Sequence, residues 1–350
     1  MGQTATKIVC YSGVLASPEY SRVLAARPDV ALRKIAADEP AAAQAELVAA
    51  HVYQVSSTRD ETPRAWWGDG ALLARMPNLL AVSTTGAGFD TVDVAACTAA
   101  GVLAVNQAGG NAEAVAEHAL GMMLVLSKRI GEADRHMRRQ SGIRRVDYKG
   151  HDIRGRAIGI VGFGHVGGRL GQLCRQAFAM RVLVHDPYVD DARIRAAGAE
   201  RVPLDELLAN ADFVSINCPL TDETRGMIGA RQFARMRPHA YFITTARGHI
   251  HDEAALVEAL REGRIAGAGL DVWAHEPPPH DHPLMAFDNV LLSPHTAGVT
   301  HEARDNIARI AAEQVLAILD GKRPERWLNP EVWPAYRRRF ARILGVEPQP

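Results

Sequence analysis

The sequence lacks a net charge, because its 350 residues include 40 Lys and Arg and 40 Asp and Glu. This balance argues against a basic nucleic-acid-binding protein. Long apolar runs are also missing. The longest clean runs, such as 119–126, are too short to span a bilayer, and residues 1–15 contain no extended apolar segment typical of a secretory signal. We therefore expect a protein that binds neither nucleic acid nor a membrane.

Cysteine is scarce as well. The four cysteines are widely separated and form no C-x-x-C pair: Cys10, Cys97, Cys174 and Cys218. This spacing in a chain of this length favours reduced thiols over a disulfide framework and predicts a cytoplasmic protein. The rest of the composition, 47% hydrophobic and 23% charged residues, is that of a globular protein with a sizeable core. The length suggests about two domains.

Short apolar segments alternate with helix-favouring segments along most of the chain. The first series of predicted strands is 8–11, 30–35, 52–56, 79–83 and 102–105. The second series follows a polar stretch at 139–156, predicted to be an exposed connection, and comprises 158–162, 182–186, 213–217, 241–245, 267–271 and 290–293. This alternation predicts an α/β protein with two doubly wound parallel-sheet domains. We also expect one helix after Asn111, another over about 300–320, and a solvated helix face at Arg337–Arg339.

A glycine-rich pattern follows the first strand of the second series. Gly162, Gly164 and Gly167 form G-x-G-x-x-G, with His165 and Val166 between the last two glycines. The pattern lies between an apolar strand and a predicted helix, the context in which glycines bring the backbone to a pyrophosphate at a helix N-terminus. Asp186 follows 19 residues after Gly167, where a carboxylate accepts hydrogen bonds from the adenosine ribose. Because this carboxylate would repel a 2′-phosphate, we predict NAD rather than NADP as the cofactor.

Three later segments carry polar residues where predicted strands end. They contain Arg247, Glu276 and His295. Ligands of open α/β sheets bind beyond the carboxyl ends of the strands, so we expect these side chains in one cleft near the cofactor. Arg247 can hold a carboxylate through a two-pronged contact. His295 can exchange a proton with a substrate oxygen, and Glu276 can orient the imidazole and stabilise its charged form.

These segments resemble the D-isomer-specific 2-hydroxyacid dehydrogenase family, whose members include phosphoglycerate, glyoxylate/hydroxypyruvate and D-lactate dehydrogenases. The resemblance extends from about residue 83 to 298. The matching motifs are 85–90, 110–118, the glycine-rich turn, 218–221 and the segments of Arg247, Glu276 and His295. The resemblance implies an NAD-dependent oxidoreductase that transfers a hydride between NAD(H) and a small 2-oxo or 2-hydroxy acid.

The resemblance also implies an organisation and further site residues. A Rossmann cofactor domain, 107–298, would be inserted into a flavodoxin-like substrate domain, 1–106 and 299–350, with the active site in the cleft between them. Backbone N–H groups near Ala87 and Gly88 would bind the substrate carboxylate alongside Arg247. The remaining positions implied to touch the cofactor are Pro219, Ala246, Asp271 and His295. The helix after Asn111 would serve a homodimer interface.

Some residues depart from the family pattern and leave alternatives open. Thr245 stands where many relatives have Asn, and His251 where an aliphatic residue is usual. Phosphoglycerate dehydrogenases have an Arg near the position of Val55, although Arg59 could compensate. We therefore favour glyoxylate or hydroxypyruvate as the type of substrate, with phosphoglycerate dehydrogenase and an NAD(H)-sensing binding protein as alternatives. The histidine pairs at 249/251 and 280/282 are interpreted as exposed or incidental, and we expect no metal site.

Overall fold

The computed structural model describes residues 6–13, 15, 17–35, 40–59 and 61–349. Contacts along the chain divide it into two compact units. The first unit comprises Met1–Asn111 and Thr300–Pro350, and the second comprises Ala112–Val299. The second unit is therefore an insertion in the sequence of the first.

The first unit contains a five-stranded parallel sheet. Its strands are β1 (Lys7–Tyr11), β2 (Val30–Lys34), β3 (Val52–Val55), β4 (Ala81–Thr84) and β5 (Leu103–Val105). The strand order is β2-β1-β3-β4-β5, which is the order of flavodoxin-like sheets. All four strand pairs are parallel, so each connection must cross the sheet, and the helices on its two faces provide these crossovers.

Helices from both ends of the first unit cover this sheet. They are α1 (Glu19–Ala25), α2 (Pro40–Ala49), α3 (Gly70–Leu73), α4 (Val94–Ala99), α12 (His301–Leu319) and α13 (Trp333–Leu344). One apolar core joins β1, β3, β4 and β5 to α1, α12 and α13. A second core on the opposite face joins the same strands to α2, α3 and α4. The C-terminal residues are thus part of the hydrophobic core of the first unit.

The prediction of a solvated face at Arg337–Arg339 is wrong for Arg339. Its guanidinium is half-buried and donates to four backbone carbonyls, those of Leu79 at 2.5 Å, Pro77 at 2.9 Å, Ala100 at 3.3 Å and Met76 at 3.4 Å. Carbonyl groups at chain turns and helix ends lack partners within their own element, and a buried cation can satisfy several of them at once. Burial lowers the pKa of Arg339.

The second unit contains a seven-stranded parallel sheet. Its strands are β6 (Ala157–Val161), β7 (Arg181–His185), β8 (Glu200–Arg201), β9 (Phe213–Ile216), β10 (Tyr241–Thr244), β11 (Gly267–Leu270) and β12 (Val290–Leu292). The order β12-β11-β10-β9-β6-β7-β8 is that of a Rossmann sheet extended by one strand. The predicted fold class, two doubly wound parallel sheets, is confirmed. The strand β8 was not predicted, because two exposed residues at a sheet edge leave no hydrophobic pattern.

Seven helices accompany this sheet in the described part of the second unit. They are α5 (Ala112–Ser127), α6 (Ile130–Arg139), α7 (His165–Phe178), α8 (Asp191–Ala196), α9 (Leu204–Asn210), α10 (Ala230–Phe233) and α11 (Glu253–Arg261). The predicted helix after Asn111 is confirmed as α5, and a second helix that was not predicted, α6, follows it. Arg129 separates the two helices in the left-handed region, at φ 55°. No Gly stands at this left-handed position, so the break has no usual marker in the sequence. No helix in the described ranges is both long and apolar enough to cross a membrane.

The parallel arrangement brings the ends of several strands to one edge of the second sheet. Gly162 follows β6 directly, and Asp271 follows β11. Arg247 and His295 follow β10 and β12 by three residues each. Since carboxyl ends of parallel strands meet at a common edge, this topology explains why residues far apart in sequence form one site.

Candidate active site

Two glycines of the glycine-rich turn are required by close packing. Gly162 has φ 92°, a conformation that side chains rarely adopt, and a Cβ there would overlap the backbone of Cys218. At Gly167 a Cβ would overlap the carbonyl oxygen of Gly162. These two positions let the N-terminus of α7 pack closely on the carboxyl end of β6.

Gly164 has a different role. A Cβ at this position would meet no atom within 4 Å, so its surroundings are open. Gly164 is also the N-cap of α7, and no side chain caps the first N–H groups of this helix, which begins at His165. An open space beside uncapped N–H groups at the positive end of a helix fits a pyrophosphate group. The turn therefore has the shape and the donors that a dinucleotide requires.

Asp186 connects this turn to the loop after β7. Its Oδ2 accepts from the Phe163 N–H at 2.7 Å, and its Oδ1 accepts from the N–H groups of Tyr188 at 2.9 Å and Val189 at 3.1 Å. Oδ2 thus retains a lone pair for another donor, such as a ribose hydroxyl. Asp186, which was predicted to contact the cofactor, therefore also holds the backbone of the glycine-rich turn and of the loop after β7 in position.

His295 and Glu276 form a direct pair. The Nδ1 of His295 lies 2.8 Å from Oε2 of Glu276, and Oε1 of the same carboxylate accepts from the Trp273 N–H at 3.1 Å. The carboxylate therefore fixes the ring orientation and keeps the proton on Nδ1. Nε2 is the ring nitrogen that remains for proton exchange.

The pair shifts both pKa values in opposite directions. Burial lowers the pKa of His295, but the hydrogen bond and the negative charge of Glu276 outweigh burial, so the pKa of His295 is raised. Burial raises the pKa of Glu276, while His295, the Trp273 N–H and Arg247 together lower it. The pair therefore favours a cationic imidazole beside an ionised carboxylate more strongly than burial alone would allow.

Asp271 holds the segment that carries His295. Its backbone carbonyl accepts from the His295 N–H at 2.7 Å, and its carboxylate accepts from the N–H groups of Thr296 at 2.8 Å and Ala297 at 2.9 Å. His295 itself has φ 55°, an uncommon conformation for a non-glycine residue. The buried Asp271 carboxylate thus stabilises a backbone conformation that the sequence of the segment does not favour by itself.

Two residues that the sequence analysis did not assign to the site extend this network. The Ser293 hydroxyl donates to Oδ1 of Asp271 at 2.6 Å, and the Nε2 of His118 lies 2.9 Å from the same hydroxyl. His118 ends the matching motif 110–118, but no role was assigned to it from the sequence. The position of Ser293 two residues before His295 was the only signal that could have indicated its role.

Arg247 lies close enough to His295 and Glu276 to change their pKa values. Its positive charge lowers the pKa values of both Glu276 and His295. Its Nη1 donates to the carbonyl of Ala246 at 2.7 Å. At the next residue, Gly248, a Cβ would overlap the backbone of Trp273, so the Arg247 segment packs directly on the segment that leads to Glu276. The structure therefore brings Arg247, Glu276 and His295 together.

The other predicted site residues lie in two places. Pro219 belongs to the loop after β9, where its carbonyl accepts from the Thr224 hydroxyl at 2.7 Å. Ala87 and Gly88 lie in the first unit, in the loop after β4, and the Ala87 carbonyl accepts from the Asn106 side chain at 2.7 Å.

The histidine pairs differ in environment. His249 is exposed, but His251 is 4% exposed, so the expectation of an exposed side chain is wrong there. His282 is paired with Glu253 at 3.3 Å. In the ranges that the structure describes, no group of three or more His, Cys, Asp or Glu side chains could hold a metal ion.

Comparison with known proteins extends these observations. Residues 120–297 match the family described as "D-isomer specific 2-hydroxyacid dehydrogenase, NAD binding domain". A glyoxylate reductase of Korarchaeum cryptofilum is 38% identical over 269 residues, which cover 75% of this chain and 80% of the relative. A D-3-phosphoglycerate dehydrogenase of Archaeoglobus fulgidus is 38% identical over 253 residues, covering 72% of this chain but 48% of the relative. This chain thus spans about half the length of that enzyme.

A solved structure agrees over almost the whole length. D-lactate dehydrogenase from Aquifex aeolicus, complexed with NAD and lactic acid, has a TM-score of 0.77 and 26% identity, covering 91% of this chain and 98% of that chain.

The family match and these relatives identify an NAD-dependent oxidoreductase, and the two parallel sheets and the glycine-rich turn agree with this class. The chain belongs to the D-isomer specific 2-hydroxyacid dehydrogenase family, and NAD is its cofactor. The family and the cofactor predicted from the sequence are confirmed.

Proposed function

We propose that this protein reduces a small 2-oxo acid, of the glyoxylate or hydroxypyruvate type, to the D-2-hydroxy acid. The observation that carries this proposal is the His295–Glu276 pair beside Arg247, at the sheet edge that also bears the glycine-rich turn. NADH supplies the hydride. The residues of the chain must then bind the acid, orient it and provide the proton.

His295 acts as the proton donor in this proposal. Reduction places negative charge on the carbonyl oxygen, and a proton from Nε2 of a cationic His295 neutralises it. Glu276 keeps the proton available, because its charge raises the pKa of His295. In the oxidative direction a neutral His295 accepts the proton from the hydroxyl group.

Arg247 is proposed to hold the substrate carboxylate. A guanidinium presents two parallel donors to a carboxylate, which fixes the plane and the direction of the acid. We propose that the N–H groups near Ala87 and Gly88 contribute further donors. We also propose that Gly162, Gly164, His165, Val166, Gly167, Asp186, Pro219, Ala246, Asp271 and His295 surround the cofactor.

The choice of substrate is supported by the similarity to the glyoxylate reductase of K. cryptofilum, which is 38% identical over 269 residues. It is supported also by Val55, which stands near the position where phosphoglycerate dehydrogenases have an Arg. One observation favours the second candidate, phosphoglycerate dehydrogenase. Arg59 and Arg64 both lie over the ring of Trp67, at 5.1 and 4.6 Å from its centroid, and such a basic cluster could accept a phosphate.

A substrate panel tests these alternatives directly. We would measure NADH oxidation with glyoxylate, hydroxypyruvate, pyruvate and phosphohydroxypyruvate, and repeat the best case with NADPH. We expect the highest kcat/KM for glyoxylate or hydroxypyruvate with NADH, and a loss of roughly 10²- to 10⁴-fold in His295→Ala. Preference for phosphohydroxypyruvate would support the second candidate. NADH binding without turnover of any acid would support an NAD(H)-sensing protein instead.

Replacement of Arg247 tests its role separately. Arg247→Lys keeps the charge but loses the two-pronged contact. We expect a higher KM for the acid and a lower kcat, because a displaced carboxylate also misaligns the hydride path. A defect confined to the KM for NADH would contradict the assignment.

We propose further that the protein is a cytoplasmic homodimer, with 107–298 as cofactor domain and 1–106 with 299–350 as substrate domain. Exposed apolar side chains near α5 support self-association: Ile130, Met137 and Val146 are 54%, 72% and 55% exposed. The four free cysteines are in keeping with a reducing compartment. Sedimentation velocity of the wild type and of Met137→Glu would test the dimer, which the substitution should weaken.

A further inference from the structure

A cavity of about 300 Å³ lies in the second unit, away from the proposed catalytic residues. It is lined by the first residues of strands β9 and β10, Phe213 and Tyr241, and by Arg156, which precedes β6. These are the amino ends of the strands whose carboxyl ends lead to Gly162 and Arg247. Since a strand of four or five residues is about 15 Å long, the cavity is separated from the dinucleotide site by the height of the sheet.

Positively charged side chains outnumber carboxylates at this cavity. Asp212 supplies the one carboxylate of the lining, and its Oδ2 accepts from the Ala157 N–H at 2.8 Å. Its Oδ1 lies 2.9 Å from His239, 3.5 Å from Arg237 and 3.7 Å from Arg156. Two guanidinium groups therefore share one carboxylate, and His239 adds positive charge whenever it is protonated.

The lining of the cavity also includes hydrogen-bond donors that make no hydrogen bond within the described residues. The Nε of Arg156 donates to the Asp152 carbonyl at 2.8 Å, whereas its terminal nitrogens make no hydrogen bond within the described residues; Nη1 approaches Asp212 Oδ1 only to 3.7 Å. The Tyr241 hydroxyl has no hydrogen-bond partner among the described residues, and burial raises the pKa of this phenol, which therefore stays a donor. In contrast, both oxygens of Asp212 already accept hydrogen bonds. A ligand that complements this lining must bring acceptors.

The apolar part of the lining determines what the ligand must contain besides acceptors. The rings of Phe213 and Tyr241 are stacked, with centroids 5.5 Å apart. A volume of about 300 Å³ has room for several heavy atoms beyond an anionic group. We propose that this cavity binds a small organic oxyanion, a phosphate monoester or a carboxylate, with its oxygens on Arg156 and Tyr241 and its body against the aromatic pair. The site is distinct from the dinucleotide site.

Calorimetry on the NADH-saturated enzyme tests this proposal, because bound NADH keeps anions away from the glycine-rich turn. The probes are inorganic phosphate, phenyl phosphate and benzoate. We expect saturable binding of at least one aromatic probe, tighter than that of inorganic phosphate. Binding of phenyl phosphate alone would identify a phosphate monoester site, and binding of benzoate alone a carboxylate site. No saturable binding of any probe would overturn the proposal.

Variants then locate the binding. Arg156→Gln should weaken the bound probe by about tenfold or more, since it removes hydrogen bonds between charged groups. Tyr241→Phe removes only the hydroxyl and should weaken binding about three- to tenfold. Arg154→Gln is the matched control, because Arg154 is exposed on the same connection. Unchanged affinity in both Arg156→Gln and Tyr241→Phe, or an equal loss in Arg154→Gln, would overturn the site. The melting temperature of each variant checks its fold, and Tyr241→Phe remains decisive if Arg156→Gln is unstable.

Discussion

Oε2 of Glu276 lies 2.8 Å from Nδ1 of His295, and the other oxygen of the same carboxylate accepts from the Trp273 backbone. The Glu276 carboxylate is therefore bound to the loop backbone as well as to the imidazole, and it holds the ring in one orientation. Its charge raises the pKa of His295 although burial alone would lower it. In the proposed reaction, the pH range of proton donation by His295 thus depends on one side chain that need not touch the substrate.

Glu276→Gln tests this dependence. The substitution keeps the shape but removes the charge, so the pKa of His295 should fall. Reductive kcat/KM, which requires the protonated imidazole, should then begin its decline at a lower pH than in the wild type. Oxidation, which requires the neutral imidazole, should extend to lower pH. Pre-steady-state rates between about pH 5 and 9 measure both profiles.

Glu253→Gln provides the control for this experiment. Glu253 accepts from the Ala274 N–H at 2.7 Å and supports the same loop, but its other carboxylate oxygen is paired with His282 rather than with His295. Its pH profiles should match the wild type. Identical profiles for Glu276→Gln and the wild type in both directions would exclude Glu276 as the partner of His295.

Ser293 is expected to be a positioning residue. Ser293→Ala removes a donor from the buried Asp271 carboxylate and breaks the link to His118. Because a hydrogen bond to a charged group contributes about 1.5–3 kcal/mol, the segment that holds His295 at φ 55° should loosen. We expect kcat to fall about tenfold and the melting temperature to fall by a few degrees. Ser293→Thr, which retains the hydroxyl, should restore most of the rate; failure of this rescue would contradict a role for the hydroxyl group.

The glycine-rich turn allows a matched pair of substitutions. Gly164→Ala adds a methyl group where no protein atom lies within 4 Å, so stability should be nearly unchanged, while the KM for NADH should rise at least tenfold. Gly167→Ala forces a methyl group against the Gly162 carbonyl oxygen and should lower the melting temperature by several degrees. Thermal unfolding without cofactor, combined with NADH titration, separates the two effects. A stability loss in Gly164→Ala equal to that in Gly167→Ala would refute the distinction.

His251 should make the stability of the protein depend on pH. It is buried with neither ring nitrogen hydrogen-bonded, and burial lowers its pKa to about 4 from an ordinary 6.5. Above pH 6.5 the ring is neutral in both the folded and the unfolded chain. Between pH 6.5 and 4 the unfolded chain binds more protons, so the free energy of unfolding should fall by roughly 3 kcal/mol.

His251→Leu should abolish this part of the pH dependence and, by removing unpaired buried nitrogens, stabilise the protein by about 1–2 kcal/mol at pH 7. His249→Gln, at an exposed neighbouring position, is the control and should keep the wild-type dependence. Urea unfolding at several pH values measures both. An unchanged slope in His251→Leu would assign the effect to other groups.

Much of the fold and of the site could be predicted from local sequence patterns. Both sheets follow from apolar segments that alternate with helical ones, since buried parallel strands leave a continuous hydrophobic signal. The turn at Gly162, Gly164 and Gly167 was predictable because only glycine fits where the chain turns tightly, packs closely or leaves space for a ligand. Arg247, Glu276 and His295 were identified from segments at strand ends, supported by the family resemblance.

Tertiary structure alone decided how these groups are supported. No local pattern predicts the left-handed conformation of Arg129 between α5 and α6, or the hydrogen bonds from Arg339 to four backbone carbonyls. The link from His118 through Ser293 to Asp271 joins residues up to 175 positions apart, and the charge cluster around Asp212 joins the starts of three strands. Hydrogen bonds between distant segments leave no periodic pattern in the sequence, because they depend on the positions that the folded sheets give to each chain segment. The sequence by itself therefore determined the class of fold and the candidate reacting groups, whereas packing determined the orientation of these groups and the direction of their pKa shifts.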